Sequence, residues 1–400
     1  MFSPEQSALD LCEAVDFGRL LITPLQPGVW SLLEPVDVQN HAPQLCWLRH
    51  DCLACVWMAG GQEGTAGMSI HMSLLVRGSS RWTPPQRISK DPLRSEQNPL
   101  LFVSDGQLHL IHTAQCTRDS EDVSWQQHDS SFSMQWTALL RRQQLPLVNL
   151  EPEKSLTWAA EAWSSPEDLL GTPAFCRHPP HPLPRGHWLL PIYRSLEGRN
   201  FGADHSELLH LDASGRVQGE AIPVPDSVGR VHGSLVTAAD GHGLLQLFRS
   251  RLADRVYRSC SHDQGSSWTA PTPLDLPNNN SSIQGLRLAS GRLALIFNRF
   301  SFGADSDAAD GTPPWGEARW PRTRWPLSIA LSEDDGDSWP WIRDIDTGFG
   351  FCGSMNWGLN GQLAYPSILE GHPGDLHLAY SWAGRQAIRY LCLTEQDILG

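Results

Sequence analysis

A strand-forming phrase returns six times along the 400 residues, and no other feature limits the possible folds as strongly. A turn residue is followed by alternating apolar positions in DCLACVW (51–57), GQLHLIH (106–112), GHWLLPIY (186–193), GLLQLFR (243–249), GRLALIFN (291–298) and GDLHLAY (374–380). Period-two alternation behind Gly or Asp describes a half-buried strand leaving a hairpin. A second phrase, Ser-x-Asp-x-Gly-x-x-Trp, interleaves with the first as SHDQGSSW (261–268) and SEDDGDSW (332–339), with eroded copies at LVRGSSRW (75–82) and DSSFSMQW (129–136). In that phrase the carboxylate accepts backbone N–H groups, Gly takes a positive φ and Trp packs beneath the turn. Its aspartates therefore hold turns and are set aside as catalytic candidates.

One such unit cannot bury both faces, whereas six stacked in a circle can, and closure removes exposed edges. The expected fold is all-β, a six-bladed β-propeller; a β-sandwich is the competing arrangement, and the repeat number favours the ring. Residues 1–35 are expected to form an N-terminal extension whose segment 28–34 supplies the ring-closing strand, with the propeller spanning 36–400. Uneven repeat spacing implies inserts near 140–180 and 300–326, and helical patterning is confined to 3–15 and 151–170.

Thirty Lys+Arg against 44 Asp+Glu give a formal charge of −14, which argues against nucleic acid and anionic membrane as partners. No apolar run is long enough to span a bilayer, and the first residues lack the pattern of a secretory signal, so a cytoplasmic protein is expected. Nine scattered cysteines read as reduced, buried thiols. Cys52 and Cys55 have the CxxC spacing, but on a strand residues three apart face opposite ways, which argues against a redox or zinc pair. No phosphate-cradling Gly loop or HExxH occurs, so no cofactor or metal is expected. Calcium on Asp305, Asp307 and Asp310 stays open.

Propeller ligands meet strand ends at the channel mouth. Taking the repeated strands as the innermost selects His112, Tyr193, Arg249, Asn298 and Tyr380. Glu63 lies among Gly60, Gly61 and Gly64, where a sheltered carboxyl would suit a general acid. His41 and His112 are candidate bases, or donors to a sugar hydroxyl. Gln97 and Asn98 precede Pro99 in an extended segment suited to presenting amides. Trp315, Trp320 and Trp325 are candidates for stacking on a sugar ring.

The turn phrases, with HAP (41–43), GGQEG (60–64), QNP (97–99), LPIYRS (190–195), LFRSR (247–251), RWPLSIALSEDDGDSW (324–339), YPSI (365–368) and LHLAYSWAGR (376–385), resemble the sialidase superfamily, in particular its bacterial neuraminidase-repeat branch. That resemblance implies an arginine cluster for a substrate carboxylate, a Tyr nucleophile and an acidic acid/base. On this sequence it implies Arg249, Arg324, Arg385 and Arg194 as sugar-binding cations, Tyr365 as nucleophile and Glu63 as the early-blade acid. The Arg-Ile-Pro phrase of the superfamily is absent, and His41-Ala42-Pro43 stands in the early blade. The expected substrate is a glycan or small sugar with an acidic or polar terminal residue, cleaved by an exo-glycosidase. Two other readings stay open. One is a lyase eliminating from uronates with His41, His112 or Tyr365 as base and acid; the other is a glycan-binding propeller without catalysis.

Overall fold

Six antiparallel sheets follow one another along the chain in the computed structural model, which describes residues 16–23, 26–89, 91–117, 137–195, 203–302, 318–348 and 361–400. The first blade holds Gln39–Arg49, Cys52–Gly60, Ser69–Val76 and Gln86–Arg87. Arg94–Ser104, Gln107–Cys116, Leu139–Pro146 and Glu167–Asp168 make the second. The third contains Phe175–Cys176, Trp188–Arg194, His205–Leu211 and Val217–Pro223, with His181–Pro182 added on Trp188–Arg194. The fourth is Arg230–Thr237, Leu244–Ser250, Arg255–Ser261 and Thr272–Pro277, and the fifth Gln284–Arg287, Leu293–Asn298, Leu327–Ser332 and Trp341–Asp346. The sixth joins the chain's two ends: Ala364–Glu370, Asp375–Trp382 and Ala387–Thr394 are followed by Gln26–Leu32 and then Leu21–Thr23. Val29 lies opposite Cys392 and Leu32 opposite Arg389, so the ring is closed by backbone hydrogen bonds between distant parts of the sequence.

Alternation along each strand explains why the blades stack. Leu293, Leu295 and Phe297 enter a cluster with Leu245 and Leu247 of the fourth blade, whereas Ala294 and Ile296 join Leu376 and Leu378 of the sixth. Each of the six seams has such a cluster, and both faces of a central strand are buried, one on each neighbour. Cys52 and Cys55 follow the same rule and point into different seams as free thiols.

The first strands of the blades are the innermost. Their side chains stitch neighbouring blades together near the axis: Leu45 N–H donates to Ser367 Oγ, Leu101 N–H to Gln44 Oε1, Gly285 N–H to Ser234 Oγ and Ile368 N–H to Gln284 Oε1. The six repeated phrases are therefore second strands, one step out from the axis, which corrects the expectation that they line the channel. Their regular alternation comes from burial on both faces, while the inner strands are irregular in sequence because they carry bulges. Register breaks at His41–Gln44, Gln97–Leu100, Val231–Ser234 and Ala364–Ser367.

Both full turn phrases sit between third and fourth strands. Asp263 accepts from Ser267 N–H at 2.8 Å and Ser261 Oγ at 2.8 Å, and Gly265 takes φ +88°. Asp334 accepts from Ser338 N–H at 2.8 Å and Ser332 Oγ at 2.7 Å, with Gly336 at φ +94°. These bonds, led by the hydroxyls of Ser267 and Ser338, hold the two carboxyls down at about 2. The eroded phrase at 75–82 occupies the same corner of the first blade and keeps Trp82 buried, whereas its counterpart at 129–136 lies outside the described residues.

The expected helix over 151–170 is two single 3-10 turns, Ser155–Thr157 and Ala160–Ala162, which seat Trp158 and Trp163 in the seam between the first two blades. The other helical expectation, 3–15, and the aspartates 305, 307 and 310 lie outside the described residues. No described helix is long and apolar enough to cross a membrane.

Candidate active site

The bulged entries of the inner strands build one end of the channel. At each of these four breaks a residue turns into the left-handed region, Ala42 at φ +55°, Asn98 at +50°, His232 at +53° and Tyr365 at +53°, and Asn280, ahead of the fifth blade's first strand, does so at +55°. Non-glycine residues avoid this conformation, and for a bulky one such as Tyr it costs on the order of 1–3 kcal/mol. The strain re-aims side chains that a regular strand would bury in the seams.

Tyr365 is the centre of the arrangement. Arg249 Nη1 donates to its hydroxyl at 2.8 Å. The guanidinium carbons of Arg177, Arg249 and Arg324 lie 5.4, 5.6 and 6.0 Å from its ring centroid. His41 packs on the ring at 4.3 Å between centroids and His232 meets it edge-on at 5.4 Å. Burial alone would raise the phenol; the charges of Arg249 and Arg324 outweigh burial and the opposing charge of Glu63, and hold it below its ordinary value. Burial, and then the surrounding guanidiniums, keep His41 and His232 well below the usual imidazole range, so both are neutral near pH 7.

The charge balance of the site is one-sided. Among the described residues, neighbouring arginines have carboxylate partners: Arg251 pairs with Asp204 at 2.6 Å, Arg385 with Glu63 at 2.5 Å and Arg389 with Asp346 at 2.7 Å. Arg177, Arg249 and Arg324 form no ion pair with a carboxylate among those residues. Arg177 and Arg249 are each 1% exposed, and burial pulls the guanidiniums of Arg177 and Arg324 down to about 10. Buried charge without a counter-charge is costly, and an arriving anion would offset that cost. A cavity of about 400 Å³ between the fifth and sixth blades carries carboxylates beside its arginines: Asp344, Asp346 and Asp397 line it with Arg343 and Arg389, and Arg389 pairs with Asp346.

The described residues among those singled out in the sequence each have a definite place. Glu63 stands at the seam of the first and sixth blades, tied through Arg385 and, by its N–H, to Gln39 Oε1 at 3.3 Å. Asn298 donates from Nδ2 to the carbonyls of Arg324 and Leu363, at 2.8 and 2.9 Å, and so fixes the backbone that presents Arg324. Tyr193 is buried, stacked on Phe175 at 5.0 Å and 5.2 Å from His232, behind the first ring of residues. Gln97 is bonded to Ser95 and Gln115, and Asn98 occupies the left-handed position of the second bulge. His112 meets Glu96 at 3.1 Å, and Glu96 also accepts from Ser89, while His112 Nδ1 is buried without a partner. Arg194 is engaged by Glu207 at 2.7 Å and by Thr172, on the outer side of its strand. Tyr380 donates to Asp346 at 2.8 Å, again in a seam. Trp320 lies 5.6 Å from the Arg251 guanidinium, Trp325 packs against the seam of the last two blades, and Trp315 falls outside the described residues.

The reading from sequence missed Arg177 and His232. A signal was present: His41-Ala42-Pro43-Gln44, Gln97-Asn98-Pro99-Leu100, Val231-His232-Gly233-Ser234 and Ala364-Tyr365-Pro366-Ser367 are one bulge repeated, a left-handed residue followed by Pro or Gly. Arg177-His178-Pro179 follows the innermost strand of the third blade, without a left-handed residue.

The BNR repeat-like domain profile matches residues 51–378, most of the chain, with four of the six blades in full and the other two in part. This protein belongs to the BNR repeat-like family. No curated protein matches its sequence. Among solved structures, this BNR-repeat chain superposes on a Hadza microbial sialidase at TM-score 0.66 and 12% identity, covering 90% of this chain and 67% of that one. A protein of unknown function from Dyadobacter fermentans gives 0.64 at 14% identity, with 91% and 97% covered. The intramolecular trans-sialidase of Ruminococcus gnavus, solved with oseltamivir carboxylate, gives 0.59 at 10%, with 90% and 96% covered. At these identities the likeness is one of fold: the chain has the sialidase six-bladed propeller.

Proposed function

We propose that this protein is a sialidase-like exo-glycosidase acting on a terminal acidic sugar of a glycan. The observation that carries the reading is the set of three guanidiniums, Arg177 and Arg249 buried and Arg324 half-buried, converging on Tyr365 without carboxylate partners among the described residues. A sugar carboxylate entering the mouth meets Arg249 and Arg324 as charge-assisted donors, with Arg177 adding its field from below. Tyr365, its proton loosened by Arg249 and passed to a neutral imidazole beside its ring, His41 or His232, attacks the anomeric carbon as that carbon takes on oxocarbenium character and its bond to the leaving oxygen breaks. Glu63, protonated from solvent once a ligand draws Arg385 away, gives that proton to the departing oxygen; its carboxylate then takes a proton from the water that releases the sugar from the tyrosine, and the imidazole returns its proton to the phenol.

A second reading has its own support. The hydroxyl of Tyr365 is bonded to a guanidinium, and two neutral imidazoles, His41 and His232, flank its ring. That combination also suits β-elimination from a uronate, with arginine neutralising the carboxylate and a neutral base removing the adjacent proton. Incubation with aryl glycosides of acidic sugars and with uronate oligosaccharides separates the two. Release of the aryl alcohol, abolished in Tyr365→Phe, supports hydrolysis; an ultraviolet-absorbing unsaturated product supports elimination. Binding with no turnover of either set, unaltered by Glu63→Gln, would leave a sugar-binding propeller.

A further inference from the structure

Arg177 leaves the third blade directly after the innermost strand Phe175–Cys176 and crosses toward the opposite side of the ring. Its Nη2 donates to the carbonyls of Tyr365 at 2.8 Å, Pro43 at 3.1 Å and Pro366 at 3.3 Å. One guanidinium nitrogen therefore ties together the bulge of the first blade, which carries His41, and that of the sixth, which carries Tyr365. Its Nε is buried without a partner. If the fold alone were served, an apolar side chain of similar volume would do as well or better than a buried cation spent on neutral carbonyls. The demand comes from Tyr365, whose left-handed backbone at φ +53° persists only where surrounding groups over-determine it.

We propose that Arg177 is a positioning residue whose guanidinium clamps the strained backbone of Tyr365 to that of Pro43, fixing the phenol between Arg249 and His41. The inference rests on the proposed function only in taking Tyr365 as the reacting group. Without the clamp the bulge relaxes, the phenol swings off Arg249 Nη1, and its hydroxyl loses the neighbour that stabilises its anion. A displacement of about 1 Å at a reacting group costs on the order of a hundredfold in rate.

The test uses Arg177→Met, which removes the donors, and Arg177→Lys, which keeps a cation able to meet the carbonyls. Alkaline difference absorbance of each variant, with Tyr365→Phe as the subtraction, isolates the ionisation of Tyr365 from that of the other tyrosines. Arg177→Met is expected to move that step to higher pH while melting within a few degrees of the parent, with Arg177→Lys recovering part of the shift. On any substrate that is turned over, kcat falls by about tenfold to a hundredfold with KM little changed, and the limb of the pH–rate profile set by the phenol moves with the absorbance step. A folded Arg177→Met protein with the parental Tyr365 step overturns the proposal, as does failure of both variants to fold, which would make Arg177 a framework residue. If no sugar is turned over, the proposed function fails while the absorbance step still decides the role of Arg177.

Discussion

Arg249 Nη1 and the Tyr365 hydroxyl meet at 2.8 Å although 116 residues separate them in the chain. One comes from the end of a second strand and the other from a bulge in a first strand, two blades away around the ring. Their bond joins the group that carries positive charge into the channel to the group whose proton that charge loosens.

Arg324 offers the plainest test of the anion seat, because its guanidinium is partly sheltered and faces Tyr365 rather than a carboxylate. Replacing it by Met removes charge-assisted donors worth about 1.5–3 kcal/mol, so acidic-sugar affinity should fall roughly 10- to 150-fold. Thermal stability should hold or rise, since a like charge beside Arg249 and Arg385 is relieved. Calorimetric titration with the sugar and a melting curve read the two effects; a large drop in melting temperature with unchanged affinity would contradict both.

Glu63→Gln should impair only leaving groups that need a proton. For an aryl glycoside with an acidic phenol the rate is expected to stay near that of the parent, while a sugar leaving group should slow by about 10²- to 10⁴-fold. The ratio of kcat on the two substrates checks this. Equal slowing of both would assign Glu63 to holding Arg385 instead.

Acid should weaken the fold before most carboxylates titrate. His41, His178 and His232 are buried, and burial first, then the arginines, keep their imidazoles well below 6.5. As pH falls through about 6.5 the unfolded chain takes up protons that the folded state refuses. Stability is therefore full above that value and declines below it, by up to about 1.4 kcal/mol per pH unit for each such group. Urea unfolding at about pH 7, about 6 and about 5 should give a slope steeper than one proton, reduced in His41→Gln. A flat profile across that window would mean the imidazoles are protonated in the folded state.

The turn phrases should be separable from function. Gly265 sits at φ +88°, and a Cβ there would lie 2.5 Å from Leu189 Cδ2 of the third blade. Gly265→Ala is expected to cost about 1–3 kcal/mol, measured by denaturant unfolding, with affinity and rate at the channel mouth unaltered.

What could be read from the chain divides along the burial of its strands. The second strands announce themselves because both faces are buried against neighbouring blades: Leu293, Leu295 and Phe297 on one side and Ala294 and Ile296 on the other force a near-continuous apolar run behind a turn. Their number fixes the ring, and the two Asp–Gly–Trp corners fix its hairpins. Arg249 was found because it ends such a strand. The inner strands are harder to read, since a bulge shifts the register and a left-handed residue leaves only a following Pro or Gly as its trace.

The amino-acid sequence thus determined the fold, through turn chemistry and period-two burial that act over a few residues at a time. Which ends of which strands face one another was decided only by closing the circle. Arg177, His232 and Tyr365 come from three different blades, and no local pattern relates them. Their common ground is that none is bonded to a carboxylate among the described residues, and that is a property of space rather than of spacing. His112 and Arg194, equally well placed by position in the chain, find Glu96 and Glu207 beside them instead. Electrostatic pairing acts through distance, and distance is set by the ring.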